Sequence, residues 1–131
     1  MRGAEIALIY DDLQRPDTTG GYCLRALAGL AQVTHLRPSH IGDIPASCDL
    51  VLCIDDGLDF PFPAQPRPSA FWAIDTHLDF ERALRRSRYF TRVFAAQKEG
   101  AARLRAHGIP HCEWLPLACD PLLHRRLEVE R

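Results

Sequence analysis

Short apolar runs that end in polar residues alternate along this chain with amphipathic stretches. "AEIALIY" (Ala4 to Tyr10) is a continuous apolar run with a polar end. That pattern predicts a strand buried on both faces of a parallel sheet. The loop "DDLQRPDTTGG" follows, rich in Asp, Pro and Gly. In "GYCLRALAGLAQ" the residues Tyr22, Leu24, Leu27 and Leu30 recur at helical spacing, and Thr18 or Thr19 can cap that helix. "VTHLRP" predicts a second, shorter strand. "CDLVLCIDD" (Cys48 to Asp56) repeats the first pattern and ends in two acids. The prolines of "GLDFPFPAQPRP" exclude a regular helix there.

The second half of the chain continues the alternation. "SAFWAIDTH" predicts a strand. "LDFERALRRSR" predicts a helix with Asp79 and Glu81 early and arginines late, as the helix dipole prefers. "YFTRVFAAQ" predicts a strand, "KEGAARLRAHG" a helix closed by Gly108, and "HCEWLPLACD" a last strand. "PLLHRRLEVER" starts another helix or a linker. The order β-α-β, β, β-α-β-α-β predicts an α/β fold. We expect a Rossmann-like, three-layer domain with a mostly parallel sheet of about six strands and right-handed crossovers.

Composition narrows the function classes. A length of 131 residues fits one domain with a real core. A net charge of -1 leaves no basic excess for a phosphate backbone, so nucleic acid is a poor partner. The local basic piece "RALRRSR" reads as the solvated face of a helix. No apolar run approaches the roughly 18 residues of a membrane span. The N-terminus "MRGAEIALIYDD" reaches acids at once and does not read as a secretory signal. The cysteines at positions 23, 48, 53, 112 and 119 form no CxxC pair, and the odd number argues for reduced thiols in a cytoplasmic protein. His35, His40, His107, His111 and His124 show no metal-ligand spacing, so no metal is expected. Trp72 and Trp114 read as core residues.

Parallel α/β sheets place ligands beyond the carboxyl ends of their strands. Those ends here carry Asp11 and Asp12, Asp55 and Asp56, then Asp75, Thr76 and His77, Gln97 and Lys98, and Cys119 with Asp120. Asp75 and His77 form the sharpest pair. A carboxylate can orient an imidazole, and either group can accept a proton from a hydroxyl nucleophile. The competing reading has Asp75 capping the helix near Leu78 with His77 merely exposed. The turn Thr18, Thr19, Gly20, Gly21 can admit a phosphate or a sugar hydroxyl at a helix start, or can serve only as a tight turn with a cap. It is neither GxGxxG nor a Walker loop.

Two resemblances follow from these residues. Asp11, Asp12, Asp55, Thr76 and Lys98 resemble the acid, hydroxyl and lysine set of a bacterial response-regulator receiver. The chain departs from that pattern in the Pro-rich link where a helix belongs, and in Lys98 preceding Glu99 instead of a proline. The second resemblance spans nearly the whole chain. "HCEWLPLACDPLLHRR", with Pro116 and Asp120, resembles the segment that closes the N-terminal domain of GT-B glycosyltransferases. "FAAQKEGAARLRAHGI" is similar to their preceding strand and helix. "DTTGGYCLRAL" and "FWAIDTHLDFE" are similar to stretches of the bacterial spore-maturation, CgeB-like glycosyltransferases.

The GT-B resemblance implies a division of labour. Residues 1–120 would be the Rossmann-like, acceptor-side half of the enzyme, and 121–131 the start of a helix or linker toward a C-terminal domain absent from this chain. That other domain would hold the nucleotide-sugar donor, and GT-B enzymes generally need no bound metal or other cofactor. The implied chemistry is attack of an acceptor hydroxyl, on a sugar or glycan, at the anomeric carbon of a nucleotide-activated hexose. Asp75 or His77 is the candidate base. Asp12, Thr18, Thr19, Gly20, Gly21, Asp55 and Asp56 would bind the acceptor. Gln97, Lys98 and Asp120 would face the interdomain cleft. The chain alone is then expected to be inactive. The alternative class is a non-catalytic binding or interaction module, whose cleft face could pair with a second copy or with another protein.

Overall fold

A computed structural model describes residues 2–128. It contains six strands: β1 (Glu5–Ile9), β2 (Gln32–Leu36), β3 (Leu50–Ile54), β4 (Ser69–Ala73), β5 (Arg92–Ala95) and β6 (Cys112–Trp114). All pair in parallel in one sheet of order β2-β1-β3-β4-β5-β6. Three helices connect them: α1 (Thr19–Ala28), α2 (Phe80–Ser87) and α3 (Lys98–Ala106). A short 3-10 segment, Pro38–Asp43, lies between β2 and β3. The fold is α/β and Rossmann-like, with the expected strand count and element order.

Strand alternation divides the core in two. Ala7, Ile9, Val51, Cys53, Phe71, Ala73, Val93 and Ala95 point to one face, where they pack against Ala83 and Leu84 of α2 and Ala101 and Leu104 of α3. Leu8, Tyr10, Ile54 and Ile74 point to the other, where Cys23 and Leu24 of α1 meet them. The strand order reverses direction between β1 and β3, because α1 carries the chain from β1 outward to β2 and every later crossover runs the opposite way. This is the topological switch point of an open parallel sheet.

The Pro-rich link runs without helix, as its prolines require. It is nevertheless anchored in the core. Phe62 is buried, with its ring 4.6 Å from Phe90, and Phe90 in turn lies 5.3 Å from Phe71.

The structure departs from the sequence reading in four places. First, α1 ends at Ala28, so Leu30 lies past it and is 83% exposed. Second, the "RALRRSR" helix is not a solvated face throughout. Arg82 and Arg86 are buried, because Arg82 has a carboxylate partner in Asp55 and Arg86 donates to the Phe60 carbonyl at 2.8 Å while stacking on the Phe60 ring. Third, Trp114 is 52% exposed. It sits on the edge strand β6, with its indole N–H donated to the Ala96 carbonyl and the Lys98 ammonium near its ring. Fourth, β6 stops at Trp114, and residues 115–120 of the expected last strand are irregular. Beyond them Pro121–His124 form a turn and 125–128 are irregular, without a helix among the described residues. The rest of the expected helix or linker, 129–131, lies outside the described residues.

Segment 115–124 instead folds back across the α1 face of the sheet. Trp72 donates its indole N–H to the Leu115 carbonyl at 2.9 Å. Arg25 Nε lies 2.6 Å from Asp120 Oδ2, and the Tyr22 hydroxyl is 3.4 Å from His124 Nε2. The five cysteines are free thiols. No helix among the described residues is long and apolar enough to cross a membrane.

Candidate functional site at the switch point

A cavity of about 430 Å³ opens at the carboxyl ends of β1, β3 and β4. Its inner wall is apolar, from Tyr10, Ile54 and Ile74. Around it stand Asp11, Asp17, Asp55, Asp56, Asp75 and Asp79, with Arg15 and Arg82. Thr18, Thr19 and Gly20, at the start of α1, close one side. Ligand sites of α/β sheets form at this position, because the diverging crossovers leave a crevice there.

Each wall follows from local sequence. Thr18 caps α1, its hydroxyl accepting the Gly21 N–H at 3.0 Å. Gly20 is required by packing, since a Cβ there would overlap the Tyr10 ring. Asp79 caps α2 by accepting the Arg82 N–H at 3.0 Å, so the cap is Asp79 and not Asp75. After β1 the chain turns through Leu13 and Gln14, both with positive φ (50° and 55°). The Asp11 and Asp12 carboxylates support that unusual turn by accepting the N–H groups of Leu13 and Gln14.

The carboxylates divide into engaged and free groups. Asp55 is engaged on all sides. It binds the Arg82 guanidinium at 2.8 Å and accepts N–H groups from Gly57 and Ile74. Asp56 accepts the N–H groups of Asp11 and Leu58; burial nevertheless pushes its carboxyl above the usual range. Asp17 pairs with Arg15 at 3.0 Å. Asp75 is exposed, and among the described residues its carboxylate accepts no hydrogen bond from the chain. Arg82 is therefore withdrawn into a buried pair with Asp55, whereas Arg15 makes only an exposed pair with Asp17; Asp11, Asp56 and Asp75 face the pocket without a cation of their own.

The other expected site residues fall in separate places. Asp12 lies beside the pocket and binds Arg37 at 2.8 Å. The Gln14 N–H, with Arg37, holds its carboxyl below the usual range. Gly21 is buried behind Thr18 and does not line the pocket. His77 is parted from Asp75. It lines a smaller cavity of about 270 Å³ with Thr76, Gln97, Glu99, Gly100 and Arg103. The reason is that β4 ends at Ala73 and the chain turns, with the Leu78 N–H donated to the Asp75 carbonyl. An i, i+2 pair shares a side only while a strand continues. Gln97 accepts the Thr76 hydroxyl at 3.2 Å, and Lys98 is turned toward Trp114. Asp120 is buried against α1, where its bond from Arg25 keeps its carboxyl below the usual range.

Sequence reasoning passed over Tyr10, Arg15, Ile74, Asp79 and Arg82. The one available signal was that Arg82 falls three residues after a capping Asp, at the start of a helix that leaves the ligand edge. Among the described residues no group of three His, Cys, Asp or Glu side chains is placed to hold a metal ion. Chemically the pocket offers hydrogen-bond acceptors in abundance, with six aspartates to two arginines in its lining. It suits hydroxyl or ammonium groups and disfavours phosphate. Comparison of the chain with protein-family models, with curated proteins and with solved structures found no match.

Proposed function

We propose that this chain is the acceptor-binding domain of an enzyme that transfers a sugar from a nucleotide-activated donor to an acceptor hydroxyl. The observation that carries the reading is the switch-point pocket itself, where aspartates outnumber arginines six to two. Carboxylates grip sugar hydroxyls through charge-assisted hydrogen bonds, and the apolar inner wall of Tyr10, Ile54 and Ile74 offers a surface to the carbon face of a sugar ring. A nucleotide diphosphate would meet net negative charge here, so the donor belongs on a facing domain. Asp75 is the group best placed to take the acceptor proton, because its carboxylate is uncommitted. As the acceptor oxygen bonds to the anomeric carbon, the bond to the nucleotide diphosphate breaks and the proton passes to Asp75.

The receiver reading has less support. Asp55 is occupied by Arg82, Asp12 by Arg37, and Lys98 is turned to Trp114. A glycan-binding module without chemistry would use the same pocket and differs only in lacking transfer. The test is affinity for a panel of methyl hexopyranosides, followed by saturation-transfer NMR. At least one should bind, and Asp75→Asn should weaken it by about tenfold. Absence of binding across the panel, or labelling of Asp55 by acetyl phosphate, would overturn the proposal.

A further inference from the structure

A third cavity, of about 350 Å³, lies between α1 and the returning segment 115–124. Its walls come from Tyr22, Cys23, Ala26, Trp72, Ala118 and Leu122. The ionic groups in its lining are Arg25 and Asp120, which neutralise each other at 2.6 Å. The indole N–H of Trp72 is consumed by the Leu115 carbonyl, so the ring presents no free donor. A charged group entering here would lose its water and meet only an ion pair already closed on itself. An uncharged apolar group would gain from burial. The volume lies within the range of small-molecule sites, about 300–1,000 Å³.

Thr19 lines this cavity and also the acidic pocket at the switch point. The two cavities are therefore neighbours with opposite character, one hydroxyl-seeking and one apolar. We infer that the cavity under segment 115–124 is a subsite for an uncharged aryl or short alkyl group, carried by an acceptor whose sugar end occupies the acidic pocket. The inference rests on the acceptor reading above, and it specifies the acceptor class as a glycoside with an apolar aglycone. The Arg25–Asp120 bridge is then a positioning contact, which holds the segment as a roof.

The test is amide chemical-shift mapping of the intact chain with three probes: methyl hexopyranosides, phenol, and the matching phenyl hexopyranosides. Phenol should shift Tyr22 and Ala26. A methyl glycoside should shift Gly57 and Asp75. The phenyl glycoside should shift both sets and bind about tenfold more tightly than the methyl glycoside. Ala26 is exposed on α1, so Ala26→Phe can fill the cavity from outside without entering the core. It should abolish the phenol shifts and reduce the phenyl glycoside to the affinity of the methyl one. Phenol that leaves Tyr22 and Ala26 unmoved, or a phenyl glycoside no tighter than its methyl counterpart, would overturn the subsite. Phenol shifts that persist while every methyl glycoside leaves Gly57 and Asp75 unmoved would uphold the apolar cavity and overturn the acceptor reading.

Discussion

Arg82 Nη1 lies 2.8 Å from Asp55 Oδ1, and both side chains are buried, at 8% and 2% exposure. The pair ties the first turn of α2 to the carboxyl end of β3. Because Asp55 also accepts the N–H groups of Gly57 and Ile74, one carboxylate fixes three chain segments around the switch-point pocket. Removing one member of such a pair leaves a buried charge without its partner. Arg82→Met is therefore expected to cost about 3–5 kcal/mol. The double variant Arg82→Met with Asp55→Asn should cost less than the two single changes summed. Urea unfolding measures both. A loss under about 1 kcal/mol for Arg82→Met would mean that the pair does not brace the pocket.

The contact between α3 and the end of β4 depends on one missing methyl group. A Cβ on Gly100 would overlap the Thr76 hydroxyl. Gly100→Ala should destabilise by about 1–3 kcal/mol through overpacking, despite the better helix propensity of Ala. Adding Thr76→Ala should recover part of the loss, although it also removes the bond to Gln97. Thermal unfolding of the single and double variants gives the coupling. Independent, additive effects would argue against a tight contact here.

The Pro-rich link is expected to owe its position to aromatic burial. Phe62→Ala deletes a ring packed on Phe90 and should cost about 3–5 kcal/mol. If chemical denaturation shows a much smaller loss, the link is held instead by its polar contacts, Arg67 donating to the Pro45 carbonyl and the Phe60 carbonyl accepting from Arg86.

Asp120 makes the return of segment 115–124 pH-dependent. Its folded carboxyl titrates below the ordinary value of 3.8, first through the bond from Arg25 and then through the Leu122 N–H. A depressed folded value contributes stability above the unfolded value, and that contribution is lost as pH falls through the folded one. The stability difference between the native chain and Asp120→Asn should therefore shrink from pH about 6 to about 3. A difference that stays constant across that range would contradict the linkage.

Much of the fold was legible because strand burial and helical spacing are local signals. The apolar runs at 4–10, 48–56 and 69–77 each contain one strand, and the prolines at 61–68 did exclude a helix. Element ends were less legible. Leu30 continued the helical spacing on paper, yet the chain leaves the helix at Gly29. The arginines of α2 could not be sorted from sequence, because the fate of Arg82 depends on Asp55, which is distant along the chain. The same limit applies to the site. The strand-end rule located Asp11, Asp55, Asp56 and Asp75 on one edge. It could not foresee that a turn parts His77 from Asp75, or that Asp12, Lys98 and Asp120 point to partners elsewhere.

The account rests on the switch-point pocket taking an uncharged sugar in preference to a phosphate. Amide chemical-shift mapping with methyl hexopyranosides on one side, and uridine diphosphate on the other, addresses that most directly. The account expects a glycoside to shift Thr19, Gly57 and Asp75 saturably, with uridine diphosphate leaving the same amides in place. Saturable shifts of Thr19 and Gly57 by uridine diphosphate, with none from any glycoside, would contradict it.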